Sequence, residues 1–188
     1  MTRPLSTLTD RRSPIEPVRE VAVHDDRIEL SEDGALVRRL GFDTLTEVRL
    51  TVEMAGRETQ VVCRASGPAG EIAFGSRRAE GARFIDNAAA FQHTLVALHK
   101  ALKGRRTVRF VEGQTLGFRL LITGAGALIA AAALVYTGYM LIVRESAILS
   151  LIGVPVILTG GALAVLFRPG RPQPYDPDAL VKRFGSAG

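Results

Sequence analysis

Two stretches of this chain contain no charged residue, Leu120 to Val143 with 24 residues and Ser146 to Phe167 with 22. Only Arg144 and Glu145 lie between them. A bilayer core of about 30 Å is crossed by about 20 helical residues rising about 1.5 Å each, so either stretch is long enough to span. Soluble domains rarely hold helices apolar on every side for about six turns. The expectation is therefore a two-helix transmembrane hairpin, with the short turn making the helices antiparallel neighbours. Basic residues flank its outer ends. Lys100, Lys103, Arg105, Arg106, Arg109 and Arg119 precede the first stretch, Arg168, Arg171, Lys182 and Arg183 follow the second, and the turn holds Arg144 alone. That asymmetry predicts a multi-pass protein with both termini cytoplasmic, and the expected location is a cell inner membrane.

Within the spans, small residues recur four apart at Thr123, Ala127 and Ala131, at Gly126 and Ala130, and at Gly160 and Ala164. Such spacing lets helix backbones approach closely, first between the two helices of the hairpin and, as a further expectation, in a homo-oligomer. Pro155, with Gly153 nearby, predicts a kink in the second span. No Asp, Glu, Lys, Arg or His lies within either stretch, so the usual markers of a proton relay or ion path are missing.

The apolar blocks explain why a chain with 47% hydrophobic residues also carries 24 Lys and Arg and 19 Asp and Glu: the two classes are segregated. A single cysteine closes no disulfide, which excludes a stapled secreted scaffold. The first 17 residues hold three prolines and no apolar run of signal-peptide length, and they read as a disordered tail. Residues 18–104 read as a separate soluble domain, 105–119 as a basic juxtamembrane segment, 120–143 and 146–167 as the spans, and 168–188 as a proline-rich tail.

The soluble segment alternates with period two. In Glu47 to Met54, Val48, Leu50, Val52 and Met54 point one way and Arg49, Thr51 and Glu53 the other, the pattern of a half-buried antiparallel strand. Ala55-Gly56 supplies a turn, and Thr59 to Ala65 follows with Val61, Cys63 and Ala65 on one face. Glu71 to Phe74 completes a meander. Upstream, Val18 to His24, Arg27 to Ser31 and Ala35 to Leu40 are strands joined by acidic turns, and Ala82 to Ile85 makes a seventh. After Asp86-Asn87, an N-cap signal, the period changes: Ala88, Phe91, Leu95, Leu98 and Leu102 lie on one helical face, ended by Gly104.

Seven short strands followed by one capping helix resemble the pleckstrin-homology (PH) superfold, in particular the bacterial PH-like domains joined to membrane helices. The resemblance covers Val18 to Lys103 and rests on DDRIEL at 25–30, LTEVRL at 45–50, GARFIDN at 81–87 and the helix beyond. It implies an α+β fold, a seven-stranded antiparallel barrel capped by a C-terminal helix, acting as a binding or scaffolding module at a membrane with an unidentified protein partner. The phosphoinositide-binding members carry Lys and Arg in the loop between their first two strands. Here that loop is His24-Asp25-Asp26-Arg27, and its carboxylates oppose a phosphorylated headgroup.

No catalytic constellation, metal-ligand spacing or nucleotide-binding loop occurs, so neither an enzyme nor a cofactor is expected. His93 and His99 are six apart and lie on different faces of the helix, His93 in solvent and His99 at the edge of the packed face. Cys63 faces inward as a small hydrophobe. Residues 1–115 hold 18 basic and 16 acidic residues, too even a balance for nucleic-acid binding. The residues expected to touch a surface are Lys103, Arg105, Arg106 and Arg109, whose position beside the first span suits the anionic headgroups of the inner leaflet. The expected function is a membrane-anchored, non-enzymatic binding or assembly module. The alternative is an oligomerising hairpin serving as a pore or transporter accessory, with the soluble domain as regulator.

Overall fold

The prolines of the N-terminal segment all fall outside its one run of strand, and this decides how the fold begins. In the computed structural model, which describes residues 3–105, 107–170 and 172–185, Ser6–Asp10 forms strand β1. Pro4 precedes it and Pro14 and Pro17 lie in the loop that follows, so no ladder donor is lost. The expected disordered tail is corrected: β1 pairs antiparallel with β2 (Arg19–Val23), and Leu8 is buried in the core. Alternation places Asp10 on the same buried face. Burial pushes its carboxyl up to about 6, although Arg19 and Arg12 pull the other way.

The chain forms two compact units, Met1–Gly113 with Gln173–Gly188, and Gln114–Pro172. In the first unit, β3 (Arg27–Glu32) and β4 (Ala35–Gly41) extend the first pair into a four-stranded sheet in the order β1-β2-β3-β4. β5 (Glu47–Ala55), β6 (Glu58–Gly67) and β7 (Gly70–Gly75) form the expected meander, and β8 (Arg77–Glu80) pairs with β9 (Arg83–Asp86) as a separate hairpin. The seven expected strands are all present, with β1, β8 and two later strands besides, in three sheets that are not closed into one barrel. Arg38 of β4 donates to the Glu71 carbonyl at 2.6 Å, linking β4 to β7 without a ladder.

Helix α1 (Ala88–Ala101) follows β9. The Ala88 amide is capped by the Asp86 carboxylate at 2.9 Å, while Asn87 reaches back to the Thr9 carbonyl and fastens the helix start to β1. Phe91, Leu95 and Leu98, with Leu102 just beyond the helix, are buried among Val21, Ile28, Val48, Cys63, Ile72 and Phe74. Each contributes about 1.5–3 kcal/mol by area. Gly104 takes φ +82°, the left-handed value that ends the helical path.

The segment expected to be juxtamembrane instead continues the sheet. β10 (Arg109–Glu112) runs parallel beside β5, and after the second unit the chain returns as β11 (Gln173–Pro174), antiparallel to β10. The five-stranded sheet has the order β11-β10-β5-β6-β7. Helix α5 (Pro177–Gly185) then packs on α1, with Leu180 against the core, so the proline-rich tail from Gln173 onward belongs to the first unit.

The second unit contains α2 (Leu116–Ile142), α3 (Ala147–Leu151) and α4 (Gly153–Leu166). Thr115 and Ser146 cap α2 and α3, and Glu145 turns the chain with φ +50°. The second apolar run is interrupted at Ile152, directly before the first turn of α4, which holds Pro155. Two helical stretches, Leu116–Ile142 and Ala147–Leu166, are long and apolar enough to cross a membrane, with mean hydropathies of 2.0 and 2.3. Only 11% and 17% of their most apolar windows are buried. α2 and α4 pack through Gly126, Ala130, Gly160 and Ala164, where a Cβ on Gly126 would stand 2.7 Å from the Gly160 carbonyl. Thr123 donates to the Phe167 carbonyl at 2.8 Å. Ala127 and Ala131 face outward, away from this contact.

Candidate functional site

Of the basic residues beside the first apolar stretch, Lys103 and Arg105 line one hollow with His99, Phe110 and Asp178. Lys103 lies exposed in the turn after α1. Arg105 stacks over Phe42, its guanidinium 5.6 Å from the ring centroid. Arg109 opens β10, three-quarters exposed, 3.3 Å from the Glu47 carboxylate. Arg106 lies outside the described residues.

Arg105 also borders a polar hollow of about 430 Å³ with Arg27, Arg39, Asp26 and Asp43. Its cations are largely satisfied. Arg27 and Arg39 both donate to the same Glu29 oxygen at 2.8 Å, and Asp26 holds Arg27 at 2.8 Å. Burial works to raise the Glu29 carboxyl, but the hydrogen bonds from Arg27 and Arg39 outweigh it and hold the group below the usual carboxylate range. A phosphorylated headgroup would have to displace these carboxylates, so the hollow is poorly suited to one.

The ring cluster at the foot of β10 has no counterpart in the sequence reading. His99, expected at the edge of the packed face, is buried between Phe110 of β10 and Tyr175, which follows β11; the ring centroids lie 5.4 and 5.8 Å away. Its Nδ1 is 2.7 Å from the Leu95 carbonyl, which can only accept, so Nδ1 carries the proton. Nε2 then accepts from the Tyr175 hydroxyl at 2.8 Å. Burial lowers the imidazole pKa, against the opposing pull of the Leu95 carbonyl, and raises that of the Tyr175 hydroxyl. The arrangement is a neutral clasp joining α1, β10 and the returning chain. Nothing local marks Tyr175, since its partner is 76 residues away.

Replacing Tyr175 by Phe leaves a buried acceptor unpaired and is expected to cost about 1–3 kcal/mol, read as a lowered melting temperature of the soluble unit. The lowered His99 pKa means that the unfolded chain binds the extra proton more readily. The clasp's stabilisation is thus complete above the unfolded value of about 6.5 and declines as pH falls below it. His99→Leu should lack that decline.

His93 is exposed as expected, within 3.0 Å of the Ser6 hydroxyl. Beside it, along α1, runs a groove of about 670 Å³ bordered by Val96, Ala97, Lys100, Ala101 and Phe184 of α5. His24 sits 3.3 Å from Glu29, and Cys63 is buried with its thiol pKa pushed up. Among the described residues no group of three His, Cys, Asp or Glu is placed to hold a metal ion. No family model, curated protein or solved structure matches the chain.

Proposed function

We propose that this is an integral membrane protein of a cell inner membrane, in which a two-helix hairpin anchors a cytoplasmic, PH-like module that binds or assembles other components without catalysing a reaction. The observation that carries this reading is the outer surface of α2 and α4. α2, and α3 taken together with α4 as the stretch Ala147–Leu166, reach the length of a bilayer core while leaving Leu128, Val135, Leu158 and Val165 about 70% exposed. Exposed aliphatic surface on that scale is unfavourable in water and suited to lipid. The PH-like reading is supported by the meander β5-β6-β7, the preceding four-stranded sheet and α1 closing over both.

Labelling in intact cells tests the anchor and its orientation. Ile15, 94% exposed in the soluble unit, and Glu145, in the turn between the spans, are each replaced by cysteine. Buried Cys63 does not compete. A membrane-impermeant thiol reagent should label Glu145→Cys directly and Ile15→Cys only after the membrane is opened. The reverse pattern refutes the orientation, and equal labelling of both in unopened cells refutes the spanning hairpin.

A further inference from the structure

We infer that the tip of the β5–β6 hairpin is a membrane-contact surface, set into the headgroup layer of the bilayer that α2 and α4 cross. The inference rests on the membrane reading above and adds to it a specific lipid-facing patch on the soluble unit.

The sheet itself shows where the apolar face of the hairpin outruns the core. Along β5, Val48 is buried and Leu50 half-buried, whereas Val52 and Met54 are 60% and 66% exposed. Val61 of β6, the register partner of Val52, is 36% exposed. The alternation therefore continues unbroken while its cover ends, and three aliphatic side chains stand at the surface on one face.

Within the first unit, the neighbouring strands carry the chain's exit in the direction of this tip. Because β10 is parallel to β5, with Glu112 opposite Leu50, the chain leaves the soluble unit travelling toward the tip. The Gly113 amide bonds the Leu50 carbonyl at 2.9 Å, and α2 opens at Leu116, within about 10 Å of extended chain. The returning chain enters at the same level, with Gln173 paired to Glu112. Met54 lies four residues beyond Leu50, about 13 Å farther along the strand in the direction of exit.

Charge at the tip matches the same surface. Gly56, at φ +65°, makes the turn with exposed Arg57, and a Cβ there would meet the Phe84 ring at 3.3 Å. Arg83 beside Phe84 is exposed, and Glu58 is engaged by Arg77. Aliphatic and aromatic side chains ringed by arginine suit an interface where anionic headgroups overlie hydrocarbon. Of the earlier basic candidates, Arg109 begins β10 opposite Glu47, at the end of the strand remote from the exit.

Depth measurements on the full-length chain in vesicles of phosphatidylcholine and phosphatidylglycerol test this. Single cysteines at Met54, Val61, Lys103, Ala69 and Leu128 carry a small fluorophore, and nitroxide-bearing lipids serve as quenchers. Ala69 lies in the turn at the far end of β6, and Leu128 reports on α2 itself. Labels at Met54 and Val61 should be quenched several-fold more than those at Ala69 and Lys103, and Leu128 most of all. Quenching at Leu128 with Met54 and Val61 no different from Ala69 overturns the inference and leaves the membrane reading intact. Stronger quenching at Lys103 or Ala69 than at Met54 likewise overturns it. An unquenched label at Leu128 overturns the membrane reading, and the inference with it.

Discussion

Replacing Leu95 by aspartate is expected to unfold the soluble unit. Leu95 is 2% exposed in the middle of α1, and its carbonyl also accepts the His99 Nδ1 proton. A carboxylate there has no cation within the surrounding cluster of Val, Ile, Leu and Phe, and burying it unpaired costs several kcal/mol or more. A domain of this size has a total stability of only about 5–15 kcal/mol. Ala90→Asp, on the exposed face of the first turn of the same helix, should be tolerated. The measurement is convenient in a chain in which a short turn joins Gly113 to Gln173, residues that flank or belong to the β10–β11 pair. Such a chain should be soluble and melt in one transition. A fragment of residues 18–104 should be far less stable, because it lacks β1, β10, β11 and α5 and exposes the core that they cover. Cooperative melting of Leu95→Asp near the parent temperature would show that α1 does not close the core.

In the second unit, Gly160→Leu should separate α2 from α4, whereas Gly161→Leu should leave them packed. A Cβ on Gly160 would stand 2.7 Å from the Gly126 carbonyl oxygen and 2.8 Å from the Ala130 nitrogen. Both are backbone atoms of a helix and cannot move singly, so the helices must part. Overpacking of this kind costs about 1–3 kcal/mol and more where backbone is displaced. Loss of close approach also removes the van der Waals contact that holds helices together in lipid. At Gly161 the same atom meets nothing within 4 Å. Thermal unfolding in detergent should show a clear loss for Gly160→Leu and near-parent behaviour for Gly161→Leu. Equal effects of the two would mean that the glycine contact does not hold the hairpin.

Local order in the sequence determined much of this protein. The two apolar blocks required no knowledge of neighbours, because length and hydropathy alone decide whether a helix can cross hydrocarbon. Seven of the eight strands from Arg19 to Asp86 and the α1 stripe of Phe91, Leu95 and Leu98 were legible for a similar reason: periods of two and 3.6 report which side chains share a face. Tertiary structure decided which elements meet. β1 was hidden by prolines that lie beside it rather than in it, and β10 by a run of arginines that reads as a membrane flank. The extension of the β5 sheet by β10 and β11, the burial of His99 and the return of Tyr175 depend on contacts between residues far apart in the chain, which no local window contains. Of the four cations singled out from sequence, Arg105 stacks on Phe42 and Arg109 faces Glu47, partners that positive charge near a span does not specify. The exposed tip at Met54 was written in the alternation of β5. Only the fold showed that the core ends before the pattern does.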